Sequence, residues 1–135
     1  MAGFSDDAKK LMADWLTVTG APTRPTGYCL AVYTANPNFA TGVGGTEAVG
    51  GSYVRQAMTM DAATGTVTVV TANAVAYNFT VGVNIGVGTY TGWGVYSLTA
   101  AGVFLGGAAF AANRVLGVAG DKINFAIGEI DLTLT

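Results

Sequence analysis

The stretch GGSYVRQAMTM occupies residues 50–60 and contains the most distinctive side chains of the sequence. A glycine pair ends a loop there, and the residues that follow are typical of a β-strand. Because side chains alternate along a strand, Tyr53 and Arg55 share one face, while Val54 and Met58 lie on the other. One face of this predicted strand is therefore mostly apolar, and the other presents an aromatic ring and a guanidinium group.

Arg55 has two possible roles in these neutral surroundings. It pairs either with an acid of its own fold, such as Asp61, Glu47 or an acid near the C-terminus, or with a carboxylate across a subunit boundary. Planar bidentate pairing favours arginine over lysine at such a boundary. The residues predicted to line an interface are Arg55, Tyr53, Glu47, Trp15 and Trp93. Neither role of Arg55 is catalytic.

The small number of charges distinguishes this chain from an ordinary soluble domain. Of its 135 residues, 10% are charged and 51% are hydrophobic, whereas about 25% are charged in a typical domain. A single domain of this length buries roughly two-thirds of its unfolded surface. The low charge therefore predicts that other protein covers much of the remaining surface.

Missing residue types exclude several classes of function. The chain has no histidine, which removes the usual general base, the serine and cysteine triads and ordinary zinc sites. It has no phosphate-binding loop ending in Gly-Lys-Ser/Thr. Its basic residues are scattered and its net charge is −2, so nucleic-acid binding is not expected. We predict that the protein is not an enzyme and uses no catalytic residue, cofactor or metal.

The membrane is also an unsuitable environment for this sequence. The longest weakly polar run, residues 98–112, is shorter than a membrane span and is interrupted by glycines. No basic segment leading into an apolar one marks a signal peptide at the N-terminus. Cys29, the single cysteine, falls in a predicted strand, where it is expected to act as a small buried hydrophobe.

Residues 4–18 are predicted to form the only helix. Ser5 is placed to cap its N-terminus, and Asp6 and Asp7 fall in the first turn, where negative charge opposes the helix dipole. One stripe is apolar: Phe4, Ala8, Leu11, Met12, Trp15 and Leu16. We expect residues 1–20 to form a helical segment that packs on the sheet of its own chain or docks on a neighbouring subunit.

Residues 21–135 are predicted to form one all-β domain. Short strands recur with glycine-containing turns, which favours an antiparallel, jelly-roll-like β-sandwich. The predicted strands cover residues 28–34, 53–60, 66–71, 74–80, 92–98, 103–110, 122–125 and 130–135. Residues 39–51 and the glycine-rich segment 82–94 are expected to be loops. Because no charge lies between Asp61 and Arg114, the strand edges need cover, and oligomerisation would supply it.

Aromatic residues offer one alternative function. Tyr90, Trp93 and Tyr96 lie close together in the sequence, and exposed aromatic rings can form a sugar-binding platform. Trp93 and Tyr96 fall on opposite faces of a strand, however, so one of them is expected in the core. Asp121, Glu129 and Asp131 do not have the spacing of a calcium loop.

Six segments, in this order, resemble a family of small tailed-bacteriophage virion proteins. They are LAVYTANP (residues 30–37), GGTE (44–47), GGSYVRQA (50–57), GWGVY (92–96), FLGGA (104–108), and the closing GDKINF (120–125) with GEIDLTL (128–134). The resemblance covers nearly the whole chain. The sequence departs from the family pattern between residues 72 and 91, where it is longer and rich in glycine, and the family's usual histidine before Trp93 is missing.

Members of this family are labelled as tail-fibre proteins, and some are capsid decoration (cement) proteins. The resemblance implies a jelly-roll-like sandwich that assembles as a homotrimer, binds the major capsid protein and stabilises the outer surface of the shell. It places the protein in the virion after synthesis in the cytoplasm of the bacterial host. A tail-fibre module that binds host surface glycan is the alternative. A third possibility is a β-sandwich subunit of another assembly.

Overall fold

An α-helix lies near the N-terminus and is anchored to the sheet by its cap. The computed structural model describes residues 2–17, 20, 25–65, 68–97 and 102–134. Helix α1 spans Asp6–Thr17. The backbone N–H of Ala8 donates to Ser5 Oγ over 3.2 Å, and the Ser5 hydroxyl donates to the carbonyl of Phe104. The predicted cap is confirmed. The same serine also links the start of the helix to Phe104, which is far away in the sequence.

The strands of the described residues form an antiparallel β-sandwich with one N-terminal helix, which confirms the predicted fold class. They are β1 (Ala2–Gly3), β2 (Tyr28–Ala35), β3 (Thr46–Glu47), β4 (Gln56–Met58), β5 (Val69–Ala72), β6 (Tyr77–Thr80), β7 (Gly88–Tyr96), β8 (Phe104–Leu116), β9 (Lys122–Phe125) and β10 (Asp131–Leu134). The pairs are antiparallel except for β1 with β10.

The largest sheet has the order β3-β2-β7-β8, and β4 also pairs with β2. Leu30 lies opposite Val95, and Val32 lies opposite Trp93. All four belong to the hydrophobic core. The alternate residues of β2, among them Cys29, are also buried. Both faces of this strand are therefore buried, and the expected burial of Cys29 is confirmed.

Two smaller sheets complete the sandwich. One has the order β1-β10-β5, and the other pairs β6 with β9. Buried Asn73 connects them to nearby turns, because its side-chain amide donates to the carbonyls of Val75 and Ala126 and its Oδ1 accepts from the backbone N–H of Ile130. A fully buried amide whose oxygen and nitrogen are both hydrogen-bonded avoids the cost of an unmet polar group.

Glycines in the middle of β7 and β8 allow other segments to approach the sheet closely. Gly94 lies opposite Gly107, and Val95 lies opposite Gly106. A Cβ atom at Gly106 would lie 2.5 Å from the carbonyl oxygen of Gly3. Strand β1 therefore crosses this part of the sheet only because no side chain intervenes.

The strand predicted over residues 53–60 is shorter than expected. Regular pairing is limited to β4, and Val54 is 66% exposed, so the predicted apolar face is wrong at this residue. Gly50, Gly51 and Ser52 have positive φ angles, and the N–H of Tyr53 donates to the carbonyl of Gly50. This tight turn carries the chain away from the sheet before β4 begins.

The segments predicted to flank β7 also differ. Strand β7 begins at Gly88, within the segment expected to be a loop, and β8 continues six residues beyond its predicted end. Tyr90 lies opposite Arg114 but Gly92 lies opposite Ala109, so four residues of β8 stand opposite Thr91 in a wide bulge. Glycine and alanine give little strand signal, and the pairing between the two strands decides the outcome.

Smaller corrections concern the remaining segments. The loop expected at residues 39–51 contains the short strand β3. Strand β6 begins three residues later than predicted. The strand at residues 122–125 is confirmed. Parts of the predicted strands, at residues 66–67, 98 and 135, lie outside the described residues.

Candidate functional site

A polar cluster of side chains lies at a gap in the sheet ladder. Strands β3 and β4 pair with the two ends of β2 and leave Ala31 and Val32 between them. The carbonyl of Val32 accepts from the N–H of Ala48 over 2.9 Å. Its N–H donates to the hydroxyl of Tyr53 over 3.3 Å. A tyrosine side chain thus occupies the place of a missing strand residue and satisfies a backbone group that would otherwise lack a partner.

Glu47 and Arg55 close the loop that brings Tyr53 to this gap. Arg55 Nε donates to Glu47 Oε1 over 2.9 Å, and Nη2 donates to Oε2 over 2.8 Å. The hydroxyl of Tyr53 donates to the same Oε1 over 2.8 Å. Fork-to-fork pairing of this kind fixes geometry as well as adding energy. Of the two roles predicted for Arg55, the structure shows the pairing within its own chain.

The aromatic ring of Tyr96 covers the guanidinium group. Arg55 Cζ lies 3.5 Å from the centroid of the Tyr96 ring, a cation–π geometry, and the hydroxyls of Tyr96 and Tyr33 are 2.6 Å apart. Arg55 Nη1 is buried and has no hydrogen-bond partner among the described residues. We call Glu47, Tyr53, Arg55, Tyr96 and Tyr33 the Arg55 cluster.

Burial and the ion pair set the protonation states in this cluster. Burial and the hydrogen bond to Tyr96 raise the pKa of Tyr33 far above its usual range. Burial and the hydrogen bond to Glu47 likewise raise the pKa of Tyr53 far above its usual range. Burial lowers the pKa of Arg55, but the hydrogen bonds to Glu47 and the negative charge of Glu47, together with smaller contributions from Tyr96 and Cys29, more than offset it, so the net shift is upward. Near neutral pH both phenols stay protonated and the arginine stays charged.

This arrangement is suited to holding the chain rather than to chemistry. The Glu47 carboxylate already accepts three hydrogen bonds within the chain. Both phenols have pKa values too high for a general base near neutral pH. Within the described ranges no group of three potential metal ligands is present. The Arg55 cluster fastens residues 46–58 along the edge of β2.

The structure brings three of the five predicted interface residues together and separates the other two. Glu47, Tyr53 and Arg55 form one cluster, whereas Trp93 lies in the hydrophobic core. Trp15 lies on α1, beside an apolar groove. That these five residues line an interface stays a prediction.

Burial also removes the predicted aromatic platform. Tyr90 is 1% exposed and Trp93 is 7% exposed, and the hydroxyl of Tyr90 donates to the carbonyl of Gly86. Tyr96 is covered by Arg55. The three aromatic residues that suggested sugar binding therefore present no shared open face.

The groove beside α1 has a volume of about 680 Å³. Leu11, Trp15, Tyr28 and Met60 contribute to its mainly apolar lining, and Asp61 is the one acidic residue among the described residues that line it. The helical periodicity predicted the apolar stripe of α1, but it did not predict that a groove would remain beside it.

Sequence reasoning missed a set of exposed valines in glycine-rich segments. Val49, Val83, Val87, Val115 and Val118 are each 62–78% exposed. The glycine content of residues 82–94 predicts a loop but does not predict that its valines are exposed. The signal in the sequence that could have predicted this exposure is the presence of valines in uncharged, glycine-rich turns.

Comparison with known proteins adds the identity of the family. A search of curated proteins found no match. Residues 3–133 match the family described as podophage GP4 fiber I protein gp80. This match agrees with the resemblance to tailed-bacteriophage proteins labelled as tail fibres. Because it spans nearly the whole chain, the protein belongs to the podophage GP4 fiber I protein gp80 family, whose members are bacteriophage fibre proteins.

Proposed function

We propose that this protein is a non-enzymatic structural subunit of a fibre on a podophage virion. The observation that carries the proposal is the family match over residues 3–133. The Arg55 cluster supports it, because its carboxylate and its phenols are engaged in contacts within the chain rather than directed at a ligand. Within the described ranges, no helix has the length and apolar character needed to cross a membrane.

Several copies of the chain would assemble with one another in the fibre. Only 10% of the residues are charged, and exposed apolar side chains remain on the folded chain. A surface of this kind favours contact with other protein. A homotrimer is the assembly implied by the sequence resemblance, and it would cover part of this surface.

Capsid decoration is the second candidate, and the same low charge favours it. A decoration protein would rest on the major capsid protein and stabilise the shell by mass action, since every contact made only by the assembled state shifts the equilibrium toward it. Both candidates are virion structural roles. They differ in where the copies lie and in how many copies each particle holds.

Labelling of intact virions distinguishes the two. We expect an antibody against this chain, viewed by electron microscopy, to mark fibres at the tail vertex. Quantitative mass spectrometry should then give a copy number that does not scale with the number of capsid subunits. Label spread over the shell, with copies in proportion to the major capsid protein, would replace the fibre proposal with capsid decoration.

A further inference from the structure

Three loops meet at one end of the sandwich. The N–H of Val81 donates to the carbonyl of Asp121, and the N–H of Gly120 donates back to the carbonyl of Val81. Gly88 lies opposite Leu116 in the β7–β8 pair. Gly51 packs so closely that a Cβ atom there would lie 2.5 Å from the Ile85 carbonyl oxygen. Residues 48–52, 82–88 and 115–120 therefore form one continuous surface.

The three loops of this surface contain no charged residue, although the Asp121 carboxylate directly adjoins one of them. The five exposed valines of this surface form what we call the valine patch: Val49, Val83, Val87, Val115 and Val118. None of the residues 48–52, 82–88 and 115–120 is Asp, Glu, Lys or Arg. Hydrogen-bonded turns hold these loops. One of them is closed by Asp121, which accepts from the N–H groups of Gly117 and Val118, and these bonds lower its pKa.

The area of the patch indicates how strong a contact it can make. A fully exposed valine side chain offers roughly 60–120 Å² of apolar surface. Five valines at this exposure supply roughly 200–400 Å². This is comparable to the largest apolar patch of a typical monomer, but it is below the roughly 800 Å² that each partner contributes to a standard stable interface. The patch alone therefore supports a weak contact, which strengthens when copies are held side by side.

The absence of charge favours a second copy of the same chain as the partner. Around a rotation axis, equivalent residues of neighbouring copies come close together, so a charged residue there would face its own like charge. The three loops carry no charged residue of their own, and the charges of Arg114, Asp121 and Lys122 lie at the margin of the surface. A partner of opposite charge would have no complementary group to meet.

We infer that the valine patch is a self-association surface, through which copies of this chain contact one another around a rotation axis. The inference rests on the proposed role of the chain as a repeated subunit of the virion, and it adds the surface that the copies use. It requires no ligand and no change in the fold of the chain.

Sedimentation velocity of the purified chain over a range of concentrations tests the inference. The wild type should associate increasingly as concentration rises. Val83→Asp and Val118→Asp should each weaken the self-association constant about tenfold or more, because each places a charge in an apolar contact. Both side chains are exposed, so circular dichroism should show an unchanged fold.

Ile127→Asp is the matched control. Ile127 is 68% exposed, but it follows the end of β9 that is remote from Asp121, so its variant should associate as the wild type does. The inference is overturned if the wild type stays monomeric at every concentration, or if the two valine variants associate as tightly as Ile127→Asp. Neither outcome changes where antibody labels the virion, so failure of this inference is separate from failure of the fibre proposal.

Discussion

Arg55 shows how a single conspicuous side chain acquires a structural role. Its guanidinium is held by the Glu47 carboxylate on one side and by the ring of Tyr96 on its face. The same carboxylate receives the hydroxyl of Tyr53, which completes the ladder at Val32. Removing one member therefore leaves others without partners, and the cost exceeds that of an isolated surface ion pair.

Glu47→Ala should lower the free energy of unfolding by about 2–3 kcal/mol. The reason is that the Arg55 side chain, only 15% exposed, would keep its charge without its carboxylate. Because Glu47 itself is 26% exposed, water compensates part of the loss. Chemical denaturation followed by tryptophan fluorescence measures the change.

Asp14→Ala is the control for this prediction. Asp14 also pairs with a cation, Lys10, at 2.6 Å, but the lysine side chain is 72% exposed. Its removal should change the free energy of unfolding by no more than about 0.5 kcal/mol. Equal losses in the two variants would show that the Arg55 cluster contributes no more than an ordinary surface pair.

At the scale of elements, backbone conformation decides where strands begin and how loops meet. The turn at residues 50–52 has three consecutive positive φ angles. It directs Tyr53 toward the gap beside β2 and delays β4 until Gln56. The same turn packs against the loop before β7, so one local conformation positions both the Arg55 cluster and part of the valine patch.

Gly51→Ala should be much more destabilising than Gly50→Ala. Both glycines have positive φ angles, at 59° and 79°, so each substitution introduces backbone strain of about 1–2 kcal/mol. Only at Gly51 would the added Cβ meet backbone atoms, at 2.4–2.5 Å, whereas at Gly50 it meets nothing within 4 Å. The overlap should add about 1–3 kcal/mol.

Thermal and chemical unfolding of the two variants measure this difference directly. Gly50→Ala serves as the control for strain, since it shares the backbone conformation without the close contact. If both variants lose the same free energy, the packing of residues 50–52 against the loop before β7 is not rigid in solution.

At the scale of the whole molecule, low charge and high apolar content leave exposed hydrophobic surface after folding. The core is continuous and includes fully buried aromatic residues such as Phe79 and Phe125. Large apolar side chains nevertheless remain exposed at several turns. Folding of one chain buries what its own layers can reach, and association is the remaining way to remove apolar surface from water.

The melting temperature of the wild type should therefore rise with protein concentration. Any partner that binds the folded chain and not the unfolded chain stabilises it by mass action. Val118→Asp should show a melting temperature that depends much less on concentration. Differential scanning fluorimetry over a wide range of dilutions provides the measurement, and a wild-type melting temperature independent of concentration would contradict the prediction.

Several features could be predicted from the sequence because they depend on neighbouring residues. The cap at Ser5, the helix and the strands at Tyr28–Ala35 and Lys122–Phe125 follow from local hydrogen bonding and from periodic burial. The sequence offers Asp61, Glu47 or an acid near the C-terminus as partners for Arg55 and does not distinguish between them. Choosing between them requires knowing which segments lie beside β2.

The sequence by itself determined the class of the fold, the absence of histidine chemistry and the neutral character of the molecule, because these depend on composition and on short-range alternation. Only the tertiary structure decided that Tyr53 completes the edge of β2, that Tyr90 and Trp93 are buried, and that the loops carrying five exposed valines meet at one end. These outcomes depend on contacts between residues far apart in the chain. Their pairing is selected by packing and by the satisfaction of backbone hydrogen bonds, which no local pattern encodes.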